Sequence, residues 1–120
     1  MSGLERGNYT HDNFSIMLKW QGKEAYLELK KRNDKEANII LNSFERIKNI
    51  LKDNPQYGDP ISKDLIPEEL KKLGVKNLYR VELSNYWRML YTIEGNNVEI
   101  FLFVLNIIDH KEYNKLFKYK

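Results

Sequence analysis

One apolar run near the end of the chain constrains the fold most strongly. Residues 98–108, VEIFLFVLNII, are apolar on both faces of an extended chain, whereas a half-exposed strand would alternate apolar and polar side chains. The run is about half as long as the roughly 20 residues that cross a bilayer, so it does not indicate a transmembrane segment. The sequence therefore predicts a central strand with other elements packed on both of its faces.

Two shorter strands are predicted just before this run. Residues 78–83 and 87–93 alternate with the period of two that is typical of strands, and residues 84–85 supply a turn between them. The larger apolar side chains share one face, namely Tyr79, Val81, Leu83, Trp87, Met89, Tyr91 and Ile93. Residues 95–97, Gly-Asn-Asn, are a strong hairpin signal before the apolar run. The three strands therefore predict an antiparallel meander.

The N-terminal half predicts a strand followed by two helices. Residues 14–20 alternate like a strand, which Gly22 ends. Residues 23–32 and 35–52 carry apolar side chains at helical spacing, and Asp34 between them is a suitable N-cap. The predicted core positions are Ala25, Tyr26 and Leu29 in the first helix and Ile40, Phe44, Ile47 and Leu51 in the second. We expect a helical hairpin packed on one face of the sheet.

Three further segments complete the expected fold. Residues 1–13 form a polar leader, residues 56–77 a proline-punctuated connection with a short helix at 67–74, and residues 110–120 a terminal helix or tail. The connection is long for a chain of this size, and it is either an insertion or a cover for the edge of a site; we favour the insertion. The expected class is α+β with a small, mostly antiparallel sheet, and residues 14–120 form a single domain.

Composition and charge narrow the class of protein. The 120 residues are 42% hydrophobic and include no cysteine, which fits a folded protein in a reducing, cytoplasmic compartment. No signal peptide or membrane span is expected. Residues 1–70 hold 11 Lys and Arg against 12 Asp and Glu, whereas residues 71–120 hold 9 against 5. A basic C-terminal half suits RNA or an acidic protein partner, although a lysine-rich surface that only aids solubility explains the charge equally well.

Arg80 and Arg88 are the first candidate site residues. They lie on two neighbouring strands, opposite the large apolar side chains, so we expect both guanidiniums to emerge on one open face of the sheet. Arginine binds phosphate in a bidentate manner and stays charged, which makes such a pair a phosphate clamp. The alternative is that Arg80 only forms an ion pair with a neighbour such as Glu82.

The segment DHKEY, residues 109–113, follows the central strand directly and contributes three further candidates. His110 can shuttle a proton, because histidine titrates near neutral pH. Lys111 can stabilise a phosphorane-like transition state, and Tyr113 can stack on a base or help to move a proton. The alternatives are that His110 caps the terminal helix and that Tyr113 anchors the core.

Sequence signatures of other chemistries are absent. The chain has no Walker loop, no dinucleotide-binding glycine motif, no HExxH, no zinc-like cluster and no nucleophile elbow. The acidic residues of the connection lack the spacing of a calcium or two-metal site; they are Asp59, Asp64, Glu68 and Glu69. We therefore expect no metal and no cofactor. If RNA is cleaved, the economical route uses the 2′-hydroxyl of the RNA as nucleophile, helped by cationic and ring side chains.

The order of these motifs resembles the RelE/ParE superfamily of toxins from type II toxin–antitoxin systems, and its RelE branch in particular. The resemblance covers residues 14–113 and is carried by the segments WQGKEAYLELKK, ILKDNP, NLYRVEL, YWRMLYTI and IIDHKEY. Arg80 matches a basic residue of the first hairpin strand, and Arg88 matches the arginine of the family's YRLxY strand. His110 and Lys111 match the basic pair after the last strand, and Tyr113 matches the closing aromatic residue.

This resemblance implies a ribosome-dependent endoribonuclease that cuts mRNA, leaves a 2′,3′-cyclic phosphate and inhibits translation. The implied partners are mRNA on the ribosome and a cognate antitoxin protein. The catalytic residues are then expected to be Arg80, Arg88, His110, Lys111 and Tyr113. The residues expected to bind RNA phosphates are Arg80, Arg88, Lys111 and Lys115. Glu82 departs from the family, because the ribonucleases often carry a basic residue there; the connection and the leader are also longer than usual.

Two other functions stay open at this point. The ParE branch poisons DNA gyrase with the same fold and without this site, because a fold does not fix a function. The alternative is therefore a non-catalytic binding protein, either a gyrase-directed inhibitor or a silent homologue that pairs with an antitoxin. A basic RNA-binding accessory domain, which would bind with a strong dependence on salt and without cleavage, is the third hypothesis.

Overall fold

The chain folds into one sheet with helices and connecting segments on both faces. The structure is a computed structural model, and it describes residues 9–11, 14–95 and 100–118. Its strands are β1 (Tyr9–His11), β2 (Phe14–Leu18), β3 (Asp59–Pro60), β4 (Tyr79–Glu82), β5 (Trp87–Gly95) and β6 (Ile100–Asp109). Its helices are α1 (Gln21–Arg32), α2 (Lys35–Asp53), α3 (Glu68–Lys71) and α4 (His110–Leu116), with 3₁₀ turns at Lys63–Leu65 and Ser84–Tyr86. The expected α+β class is confirmed.

The strands form one mixed sheet in the order β1-β2-β6-β5-β4-β3. β4, β5 and β6 make the predicted antiparallel meander, while β2 pairs with β6 in parallel. β6 therefore lies inside the sheet, as its apolar sequence predicts. Two short edge strands were not predicted: β1 comes from the polar leader and β3 from the proline-punctuated connection. The hairpin turn predicted at residues 95–97 extends beyond the residues that the structure describes.

The two long helices form the predicted hairpin on one face of the sheet. The Asp34 carboxylate accepts a hydrogen bond from the Ala37 backbone N–H at 2.8 Å and caps α2, while Asn33 ends α1 in the left-handed conformation. The predicted core positions of α2 are all buried. The sheet residues packed in this cluster are Ile16, Val81, Leu83, Met89, Tyr91, Leu102, Val104 and Ile107. Within the described residues, no helix has the length and apolar character needed to cross a membrane.

The opposite face is also covered, although the sequence predicts it to be open around the arginines. The second apolar cluster consists of Ile66, Leu70, Val75, Leu78, Leu90, Leu105 and Tyr113. Leu90 of β5 and Leu105 of β6 are at most 1% exposed, and such side chains need an apolar layer above them. The connection and α4 supply that layer. The connection therefore contributes part of the core.

A bulge in β6 determines which of its side chains face the helical hairpin and which face the second apolar cluster. Leu90 pairs with Asn106 and Tyr91 with Val104, so Leu105 is an extra residue without a partner in β5. Beyond this point the alternation changes phase, as expected at a bulge. Ile107 therefore packs with the helical hairpin, and the polar Asn106 stays out of that layer.

Gly22 allows α1 to approach the backbone of β6. A Cβ atom at this position would overlap the carbonyl oxygen of Val104 and lie 2.8 Å from its carbonyl carbon. Both atoms belong to the backbone of a central strand, which cannot shift without disturbing the hydrogen bonds to its neighbours.

We predict that Gly22→Ala lowers the free energy of unfolding by about 3 kcal/mol or more, because the added methyl group overpacks the contact with β6. Urea denaturation followed by circular dichroism measures the change. Lys23→Ala is the control, since Lys23 is exposed on the same turn and we expect a change within about 0.5 kcal/mol. Equal stability of the two variants would contradict the close approach of α1 to the sheet.

Tyr91 of β5 forms hydrogen bonds with the segment that follows α2. Its hydroxyl donates a hydrogen bond to the Pro55 carbonyl at 2.8 Å and accepts one from the Gly58 N–H at 2.9 Å. Its ring stacks on Tyr79, with 5.1 Å between the ring centres. Burial raises the pKa of Tyr91 from 10.0 to about 12, because the phenolate would lose its hydration.

We predict that Tyr91 makes stability fall at alkaline pH. Between pH 10 and about 12 the unfolded chain releases the Tyr91 proton while the folded chain retains it. The unfolded state then binds fewer protons, so the free energy of unfolding decreases across this interval, by about 2–3 kcal/mol for this group. Urea denaturation at a series of pH values should show a shallower decrease for Tyr91→Phe. The same slope in both proteins would contradict the raised pKa.

Candidate nucleic-acid interface

Two arginines on neighbouring strands lie against one tyrosine ring. Arg80 of β4 and Arg88 of β5 both approach Tyr113 of α4, and their guanidinium carbons are 5.9 Å and 4.8 Å from the ring centre. Both distances are within the range of cation–π attraction. Arg80, Arg88 and Tyr113 together form the arginine–tyrosine cluster. The structure thus brings together three of the candidate site residues, which are up to 33 positions apart in the chain.

The start of α4 explains how Tyr113 reaches the arginines. The Asp109 carboxylate accepts a hydrogen bond from the Glu112 N–H at 2.9 Å, so the helix begins directly after β6 and folds back over the sheet. Tyr113 is 3% exposed, and its ring centre lies 4.6 Å from that of Phe117. The Tyr113 hydroxyl accepts a hydrogen bond from Nη1 of Arg80 at 3.4 Å. Tyr113 is therefore a core anchor, and its buried ring is not open to a nucleobase in this conformation.

Each arginine also has a carboxylate neighbour. Nη2 of Arg80 lies 3.2 Å from Oδ2 of Asp59, and Nε of Arg88 lies 3.6 Å from Oε2 of Glu82. The hydrogen bond to Tyr113 and the contact with Asp59 raise the pKa of Arg80. Arg80 thus forms an ion pair with a neighbouring residue, as considered, but its partner is Asp59 of the adjacent strand and not Glu82, which lies opposite Arg88 in the ladder. Asp59 and Glu82 are 72% and 60% exposed, so both ion pairs face water and are weak.

The two arginine side chains are more buried than is expected for side chains on an open face of the sheet. Arg80 is 31% exposed and Arg88 is 18% exposed. The Nε atoms of both are buried and make no hydrogen bond in the part of the chain that the structure describes, although Nε of Arg88 has the Glu82 carboxylate at 3.6 Å. A buried N–H without an acceptor costs free energy. An anion that binds at this cluster would therefore meet the exposed parts of the two side chains, because the buried Nε atoms are out of its reach.

The other candidate residues lie on the exposed surface of α4. His110 and Lys111 are its first two residues and both are exposed, while Lys115 lies 3.6 Å from Glu112 at its far end. Asp109, and not His110, caps the helix, so the capping role considered for His110 is wrong. No contact of these three residues with Arg80 or Arg88 is seen within the described chain. The His110 ring instead meets the Tyr86 ring edge to face, with the ring centres 6.0 Å apart.

Two residues beside the cluster were missed by the sequence reasoning. Asp59 comes from an edge strand of only two residues, which carries no periodic signal. Tyr86 lies in the turn between β4 and β5, where its carbonyl accepts a hydrogen bond from Nη1 of Arg88 at 3.4 Å. An aromatic residue directly after the turn signal Ser84-Asn85 is the one sequence feature that could have drawn attention to it.

Within the described residues, no group of three or more His, Asp or Glu side chains is placed to hold a metal ion. No family model, curated protein or solved structure matches the chain. The arginine–tyrosine cluster and its surroundings are therefore the basis for a functional inference.

We predict that Tyr113→Ala lowers the free energy of unfolding by about 3–5 kcal/mol, because it removes a buried ring from the second apolar cluster. Tyr113→Phe should cost only about 1 kcal/mol, since it removes the hydroxyl that meets Arg80 and keeps the ring. Urea denaturation of both variants measures the difference. A loss below about 1 kcal/mol in Tyr113→Ala would contradict the docking of α4 through this ring.

Proposed function

We propose that this chain is the toxin of a type II toxin–antitoxin system, a ribosome-dependent endoribonuclease of the RelE kind that cuts mRNA and so inhibits translation. The observation that carries the proposal is the convergence of Arg80 and Arg88 on Tyr113. Both guanidinium carbons lie within 5.9 Å of one ring centre, so an anionic ligand at the cluster is attracted to both positive charges. The helical hairpin on a meander sheet and the order of the sequence motifs agree with the resemblance to this family.

The proposed reaction uses the RNA's own 2′-hydroxyl. Its proton is removed, its oxygen bonds to the adjacent phosphorus, and the bond between that phosphorus and the 5′-oxygen of the next nucleotide breaks. A proton delivered to the departing 5′-oxygen completes the step, which leaves a 2′,3′-cyclic phosphate and a 5′-hydroxyl. His110 is the proposed acid or base, because it is exposed, its ring meets that of Tyr86, whose carbonyl bonds Arg88, and an imidazole exchanges protons near neutral pH.

The cationic residues are proposed to bind the phosphate and to stabilise the charge that develops on its oxygens. Arg80 and Arg88 stay charged at any physiological pH and present forked donors to phosphate oxygens. Lys111 and Lys115, exposed on α4, extend the positive surface towards neighbouring phosphates. Tyr113 contributes by fixing both guanidiniums through its ring and its hydroxyl.

The two carboxylates beside the arginines do not block this role. Exposed ion pairs contribute only about 0–1 kcal/mol, so Asp59 and Glu82 can turn into water at little cost. A phosphodiester offers a guanidinium two oxygens at once, and such charge-assisted pairs are stronger than single hydrogen bonds. We therefore expect RNA phosphate to replace Asp59 and Glu82 at the cluster.

The proposal also includes a cognate antitoxin as protein partner and a cytoplasmic location, where translating ribosomes are found. Both come from the resemblance to the RelE branch. A small neighbouring gene for an acidic or DNA-binding protein would favour the toxin class, although it would not distinguish a ribonuclease from a gyrase inhibitor.

One observation favours the second candidate function, a non-catalytic binding protein of the same fold. Asp59 and Glu82 balance the charges of Arg80 and Arg88, so the cluster is close to neutral as it stands. A gyrase-directed inhibitor, or a silent homologue that only pairs with an antitoxin, needs no phosphate site here. Loss of Arg88 would then leave the toxicity of a gyrase-directed inhibitor unchanged, and a silent homologue would cause no growth arrest at all.

We predict that Arg88→Ala abolishes cleavage of translated mRNA and the accompanying growth arrest, because it removes half of the phosphate clamp. Primer extension on mRNA from expressing cells, with and without an inhibitor of translation, locates the cuts. Arg46→Ala is the matched control, since it removes the same charge from an exposed position of α2, in the helical layer on the other face of the sheet.

Circular dichroism must show the native helix content for both variants, so that a loss of cleavage cannot be attributed to unfolding. Full toxicity of folded Arg88→Ala would contradict the site. Growth arrest by the wild type without any cut mRNA would contradict the nuclease and favour the binding protein. Cuts that persist when translation is inhibited would contradict the dependence on ribosomes.

A further inference from the structure

Tyr86 is a large aromatic side chain that the fold leaves in water. It is 74% exposed, whereas Tyr91, five residues later, is fully buried. Transfer of a ring of this size from water is favourable, so an exposed one can contribute to the binding of a partner. It lies beside the arginine–tyrosine cluster and has no role in the proposed reaction.

The backbone holds Tyr86 in an unfavourable conformation. Its φ is 63° and that of Asn85 is 57°, so two consecutive residues of the turn are left-handed. Asparagine tolerates this region, but a bulky side chain rarely adopts it and glycine is favoured there. A tyrosine at this position therefore costs stability without burying its ring. Strain of this kind is commonly found at functional positions.

Two contacts connect Tyr86 to the proposed active site. Its carbonyl accepts a hydrogen bond from Nη1 of Arg88 at 3.4 Å, and its ring lies edge to face against the His110 ring at 6.0 Å. The backbone of Tyr86 is thus bonded to one of the proposed phosphate-binding guanidiniums, and its exposed ring is next to the proposed proton-transfer group. Because Tyr86 is 74% exposed, much of its ring remains open to a planar ligand.

We propose that Tyr86 is a stacking platform for a nucleobase of single-stranded RNA, next to the phosphate bound at the arginine–tyrosine cluster. The inference rests on the proposed function and adds a residue that selects and orients the substrate. Exposed rings beside cationic side chains are the arrangement by which proteins bind single strands, since the ring stacks on a base while the cations hold the backbone. A protein partner fits less well, because the two side chains seen to contact Tyr86, those of Arg88 and His110, are both polar.

The first test separates the ring from the backbone that carries it. Tyr86→Gly keeps the carbonyl acceptor for Arg88 and suits the left-handed turn, so its melting temperature should equal or exceed that of the wild type. Its affinity for a short single-stranded RNA with a 2′-deoxy substitution at the cleaved position should fall about tenfold to a hundredfold. Tyr86→Phe should bind like the wild type, and so should Leu27→Ala, which removes an exposed apolar side chain from α1.

The second test identifies the group that stacks. Replacing one nucleotide at a time by an abasic one should weaken binding to the wild type at one position, and Tyr86→Gly should show no further loss at that position. Additive losses at every position, or unchanged binding by Tyr86→Gly, would overturn the platform. No binding of the RNA by the wild type would overturn it as well. RNA that binds through Tyr86 but is never cut on ribosomes would overturn the nuclease and leave the platform standing.

Discussion

Strand β6 buries side chains on both of its faces, so it needs an apolar layer on each side. Leu102 and Val104 on one face, and Leu105 on the other, are at most 1% exposed. The helical hairpin covers the first face, and the connection with α4 covers the second. Burial of this kind is the main favourable term in folding. The position of the arginine–tyrosine cluster is a consequence, because the second layer includes the helix that carries Tyr113.

The interactions that hold the arginine–tyrosine cluster differ in strength. The Tyr113 ring is fixed by burial in the second apolar cluster, and both guanidiniums lie within cation–π range of it. The carboxylates of Asp59 and Glu82 are exposed and contribute little. The fold therefore fixes the two cations firmly and their counterions loosely. The proposed exchange of these carboxylates for an RNA phosphate would leave the core in place.

Several elements follow directly from local sequence. The apolar stripe Ile40, Phe44, Ile47 and Leu51 and the cap at Asp34 determine α2, because helix periodicity and capping depend on residues a few positions apart. Strand alternation likewise assigns Arg80 and Arg88 to the same face. Trp20 shows where the pattern fails: it continues the alternation of β2, but its φ of 51° turns the chain and its ring packs in the second cluster.

The sequence by itself determined the class of fold, the helical hairpin, the meander and the pairing of two arginines on one face, since these depend on local periodicity. Only the tertiary structure decided that this face is covered, that Asp59 meets Arg80, and that Tyr86 is strained and exposed beside His110. Those facts depend on contacts between residues far apart in the chain and on the bulge at Leu105, which no local pattern encodes. The physical reason is that burial is a property of the whole packed molecule, whereas alternation is a property of neighbouring residues.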